Sequence, residues 1–76
     1  MTKEDLDRMI STMDADDVEQ FLFDFISAIM IIENKTFQEV IDKYHVEFSE
    51  KYEDLEVIEI QIKLIYQMHE IIMKDR

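Results

Sequence analysis

A chain of 76 residues without a single glycine or proline has few ways to turn other than between helices. Tight hairpins need glycine, Asn-Gly pairs or proline to supply their backbone angles. Helices joined by short polar loops need none of these. The expectation is therefore an all-α fold: one small compact domain over residues 1–76, with four helices in the order short, long, short, long.

Four patterns place the helices. Thr2 with Asp5 three residues on opens the first, over about residues 3–12, with Leu6, Met9, Ile10 and Met13 as its apolar stripe. Asp14 is a good N-cap for the second, and Asp16 and Asp17 suit the positive end of its dipole. That helix runs to about Glu33, with Asp16, Gln20, Asp24 and Ser27 as a narrow polar stripe. Asn34-Lys35 reads as a tight turn, with asparagine taking the left-handed conformation. Thr36 and Glu39 form a capping box for the third helix, which the stripe Phe37, Val40, Ile41, Tyr44 carries to about Tyr44. The alternation in residues 44–48 suggests an extended stretch with Val46 and Phe48 plugging the core, and Ser49 as N-cap of the last helix.

That last helix is expected over about residues 50–74. Ile58, Ile60, Ile62 and Leu64 alternate like a strand, so a strand over 57–65 is the competing reading. The wider window favours the helix, because Glu56, Glu59, Lys63, Gln67, Glu70 and Lys74 recur at helical spacing. Glu59–Lys63 and Glu70–Lys74 are favourable i, i+4 pairs, and Lys74 and Arg76 complement the negative end.

The two long helices carry polar stripes only about 80–100° wide. Helices this apolar are stable when surrounded, and two short helices cover only part of them. One reading has the long helices packed on each other under the short ones. The other leaves apolar surface for a homodimer or a partner, through Phe23, Met30 and Ile31 on the second helix and Ile60, Leu64, Met68 and Ile71 on the fourth. Gln61, in the middle of that fourth-helix face, is either a register-setting residue or a satisfied buried amide.

Charge supplies the second theme. The net charge is −11, from 19 acids and 8 bases, while 47% hydrophobic residues exclude a disordered acidic tail. Direct binding to nucleic acid or an anionic membrane is disfavoured and a basic protein partner favoured. The acids concentrate in two patches: Asp14, Asp16, Asp17 and Glu19, then Glu47, Glu50, Glu53, Asp54 and Glu56. These either keep an apolar protein soluble or mimic phosphates toward a nucleic-acid-handling protein. Residues 61–76 are slightly basic by contrast, with two acids against three bases.

Other chemistry finds little support. There is no cysteine, glycine-rich phosphate loop or nucleophile elbow, so no enzyme is expected. Asp14-Ala15-Asp16-Asp17 lacks the central glycine and twelfth-position glutamate of a calcium loop. His45 and His69 fit no zinc or di-iron spacing, and His69 is expected to flank or cap the core. No metal or cofactor is expected. The longest apolar run, Phe21 to Ile32, is interrupted by Asp24 and Ser27 and is far short of the roughly 20 residues of a membrane span. The N-terminus carries Glu4 and Asp5 where a signal peptide is basic. The expectation is a cytoplasmic protein, or one of the host cytoplasm if phage-encoded. Its physical type is that of phage inhibitors, immunity proteins and antitoxins, a comparison of size and charge without a shared motif. The alternative is a homo-oligomeric structural or adaptor protein whose charge serves solubility.

Overall fold

The computed structural model describes residues 2–75, and the described residues form helices with no strand. Helix α1 spans Lys3–Ser11 and α2 spans Ala15–Glu33. Helix α3 covers 37–51 in three continuous pieces: α-helical Phe37–Val40, a π-helical Ile41–Val46 and α-helical Glu47–Lys51. Helix α4 spans Val57–Lys74. The arrangement is the small all-α, four-helix one, and residues 57–65 are helical. Arg76, proposed above as a cation at the end of α4, lies outside the described residues.

Local chemistry sets most of the helix ends. Thr2 and Thr36 each head a capping box, closed by Asp5 and Glu39 respectively. At the second, the Glu39 N–H donates to the Thr36 hydroxyl at 3.2 Å and the Thr36 N–H to the Glu39 carboxylate at 3.1 Å. The Thr36 backbone N–H first, and then the Thr36 hydroxyl, hold the Glu39 carboxyl below its ordinary pKa. Asp14 accepts from the Asp17 N–H at 2.9 Å. Asn34 ends α2 with φ 54° and ψ 51°, the left-handed conformation that glycine usually provides. Thr36→Ala is expected to cost about 1 kcal/mol in urea unfolding. Thr2→Ala should cost less, because Thr2 caps a helix that buries only Leu6.

The third and fourth helices differ from the sequence expectation. Residues 44–48 are helical, and α3 continues to Lys51. No breaker stands in that stretch, and the inward side chains Tyr44, Phe48 and Tyr52 recur four apart, a helical spacing that the alternation of Tyr44, Val46 and Phe48 hides. A helix with i→i+5 bonds turns less per residue, so side chains four apart drift less around it. Val40 and Tyr44 are buried as a result, and Phe48 and Tyr52 pack against the core. Val46 is exposed instead of plugging the core. Ser49 lies inside α3, where its hydroxyl meets His45 Nδ1 at 3.4 Å, and caps nothing. Chain reversal falls at residues 52–56, where Glu53 and Asp54 are unfavourable at the negative end of α3. Glu56 is the N-cap of α4. The last helix thus has 18 residues, about 27 Å, rather than beginning near residue 50.

Helices α2 and α4 form the central pair, and α3 packs against both. Val18, Leu22, Phe25, Ile26 and Ile29 from α2 meet Ile60, Leu64, Ile65 and Met68 from α4. Leu6 of α1 and Val40 and Tyr44 of α3 complete the buried set. His69 is buried, its ring edge-on to Phe25 at 6.3 Å. The Tyr66 hydroxyl donates to Asp7, tying α1 to α4. That bond is the first reason the Tyr66 hydroxyl is pushed up to about 12.

Candidate functional site

The core settles where several candidate surface residues lie. Ile60, Leu64 and Met68 are buried within the chain against α2 and are not surface groups. The physical reason is the rotation of α4: an apolar helix with a narrow polar stripe has more than one face that can turn inward, and this one does. Gln61, Ile71 and Met30 are half-buried. Phe23 and Ile31 stay exposed, Ile31 at 82%.

The free face of α2 brings together two groups that the sequence reading kept apart. Asp16, Glu19, Phe23, Ser27 and Ile31 are all exposed. At 100° per residue they fall on one side of the helix, with Gln20 and Asp24 beside them. An aromatic side chain therefore stands on a ridge that begins with carboxylates. Phe37, from the start of α3, leans against Phe23 with ring centroids 5.9 Å apart and planes at 43°. The two rings are 38% and 44% exposed, so the pair is an aromatic step on the surface. Sequence reasoning assigned Phe37 to the inward stripe of α3; only its contact with Phe23 shows otherwise.

All nine carboxylates of the two acidic patches are exposed. Asp14 is engaged as an N-cap. Among the described residues the side-chain ion pair is Lys43–Glu33, and none of the nine takes part in it. The second patch sits on the end of α3 and in the turn before α4, with Glu47 and Glu50 helical and Glu53 and Asp54 in the turn. This arrangement sets exposed carboxylates and an exposed aromatic pair on the same molecule. Among the described residues no three histidines and carboxylates converge as metal ligands would, and no helix is long and apolar enough to cross a membrane.

The one partly buried carboxylate, Glu33, is committed to the fold. Its Oε2 accepts from the Tyr44 hydroxyl at 2.8 Å and from Lys43 Nζ at 3.2 Å. Burial pushes this carboxyl up, but the bonds from Tyr44 and Lys43, with the charges of Lys43 and Lys35, outweigh burial and leave it below its ordinary value.

No family model, curated protein or solved structure matches this chain.

Proposed function

We propose that this chain is a small acidic protein-binding module that covers the surface of a basic, nucleic-acid-handling partner and so inhibits or neutralises it. The observation that carries this reading is the exposed ridge of α2, where Phe23 stands beyond Asp16 and Glu19 and beside Asp24. Interfaces draw most of their energy from a few desolvated anchors, aromatic ones above all. Surrounding charge sets partner choice and association rate. Carboxylates around a phenylalanine suit a basic surface with an apolar recess. Glu47, Glu50, Glu53, Asp54 and Glu56 extend the acidic surface. The reading involves no catalysis and no direct contact with nucleic acid. It places the protein in the cytoplasm, that of a host cell if a phage encodes it.

The test is capture of basic proteins on the immobilised chain, compared with two charge-reversed variants: Asp16→Lys with Glu19→Lys and Asp24→Lys, and Glu50→Lys with Glu53→Lys and Asp54→Lys. At least one reversal should lower affinity for the captured partner about tenfold or more, and wild-type binding should weaken steeply between roughly 0.05 and 0.5 M salt. Capture that survives both reversals and high salt sinks the proposal.

A second reading, self-association as a homo-oligomeric adaptor, is favoured by the exposed Phe23–Phe37 step and by Ile31. It requires a dimer or larger species in sedimentation velocity that persists in high salt and dissociates in Phe23→Ala. A monomer at high concentration excludes it.

A further inference from the structure

The chain is strongly acidic, yet Lys3, Lys63 and Lys74 line one groove, and Lys51 lies against the ring of Tyr52 in its wall. Its floor is the outer face of α4, from Lys63 through Tyr66 and Glu70 to Lys74. Lys3 and Asp7 of α1 form one wall, and Phe48 and Tyr52 from the end of α3 form the other. The groove is open to solvent and has a volume of about 1100 Å³. Phe48 and Tyr52 stack, with centroids 5.6 Å apart and planes at 16°. Lys63 Nζ lies 5.1 Å from the centre of the Tyr52 ring and Lys51 Nζ lies 5.3 Å from it. None of Lys3, Lys51, Lys63 and Lys74 is in an ion pair among the described residues.

We propose that this groove docks an acidic amphipathic helix from a protein partner, and that it is a second binding surface distinct from the acidic ridge of α2. The dimensions fit. Residues 63–74 present about three helical turns, roughly 16 Å, and a helix of that length about 10 Å across occupies on the order of 1200 Å³. The chemistry fits as well. The apolar face of an incoming helix would lie on Tyr66, Tyr52 and Phe48, with anchors at i, i+3, i+4 and i+7. Its flanking carboxylates would meet Lys3 at one wall and Lys63 and Lys74 along the floor. Of the two acids in the groove, Asp7 already accepts from Tyr66, and Glu70 precedes Lys74 by one turn. Acids also adjoin these lysines in the chain, Glu4 beside Lys3, Glu59 one turn before Lys63 and Asp75 beside Lys74; only acids more than about 8 Å from the groove are largely screened at physiological salt.

The probe is a synthetic 14-residue helical peptide with leucine and tryptophan at those four anchor spacings and glutamates on both flanks. Its controls are the same peptide with lysines on the flanks, and a scramble of the glutamate peptide that abolishes the apolar stripe. Fluorescence anisotropy with the full chain should show the glutamate peptide binding at least about tenfold tighter than either control. Lys63→Glu with Lys74→Glu should remove that preference while thermal unfolding by circular dichroism stays within a few degrees of wild type. Tyr52→Ala should weaken binding of the glutamate peptide by a similar factor. Equal affinity for the glutamate and lysine peptides overturns the proposal, as does equal affinity for the scramble. So does a groove filled by a second copy, which would appear as wild-type self-association abolished by Lys63→Glu with Lys74→Glu.

Discussion

Leu64→Ala is expected to lower the stability of the chain by about 3 kcal/mol, from the lost transfer energy and the residual cavity of a buried leucine. Leu64 is 1% exposed and sits in the α2–α4 contact with Ile26 and Ile29 in the same core. A domain of this size has roughly 4–11 kcal/mol in total, so the loss is a large fraction of the whole. At about 4–8 °C per kcal/mol the midpoint should fall by something like 12–24 °C. Phe23→Ala, at an exposed site of the same central pair, should move it by only a few degrees. The comparison also separates a core from a subunit interface. A side chain buried inside one chain gives a loss independent of protein concentration, whereas one buried between copies gives a midpoint that rises with concentration. Thermal melts of both variants at two concentrations about 30-fold apart decide it. A Leu64→Ala loss below about 1 kcal/mol, or one that shrinks as concentration rises, contradicts the assignment of Leu64 to the core.

That assignment shows how far the sequence could be read. The starts of the first three helices were legible because their signals are local: Thr2, Asp14 and Thr36 bond to backbone within their own first turn. Asn34 likewise declares the end of α2 through its own left-handed backbone. What was not legible depends on partners. An amphipathic helix announces its inward face, but α4 is apolar on several sides, so only packing against α2 reveals that Ile60, Leu64 and Met68 face in. The widened turn at Ile41–Val46 has no local signature either, since it serves to keep Val40, Tyr44 and Phe48 against neighbouring helices. Lys3, Tyr52 and Lys63 lie far apart in the chain, and only the topology makes them neighbours.

Glu33 closes α2 at the end where the helix dipole disfavours an anion, and the last turn has no basic residue of its own. Two opposite outcomes are therefore available for Glu33→Ala. If the dipole penalty dominated, removing the carboxylate would stabilise the chain. The geometry argues the reverse. Tyr44 is 6% exposed, and its hydroxyl donates to Glu33. Truncation leaves that hydroxyl without its acceptor and separates the end of α2 from α3. A buried group deprived of its partner costs about 1–3 kcal/mol, against a few tenths to 1 kcal/mol for an end charge. Lys43 is 41% exposed, so its ion pair adds little. Glu33→Ala is thus expected to destabilise by about 2 kcal/mol at pH 7. The conservative Glu33→Gln variant keeps an acceptor for Tyr44 and loses only the charge, for about 1 kcal/mol. The pH dependence fixes the sign. The Glu33 carboxyl is held below its ordinary value of 4.5 in the folded chain, so its charge contributes stability above that value. The contribution is lost as pH falls through the folded value, where the side chain becomes a neutral acid. The gap between wild type and Glu33→Gln should accordingly be full at pH 7, begin to narrow as pH falls past the ordinary value of 4.5, and close once pH is below the lower folded value. Urea titrations of the three proteins across that range provide the measurement. A gap that persists unchanged at low pH, or a Glu33→Ala variant more stable than wild type, would show that Glu33 is tolerated at the end of α2 and does not tie α2 to α3.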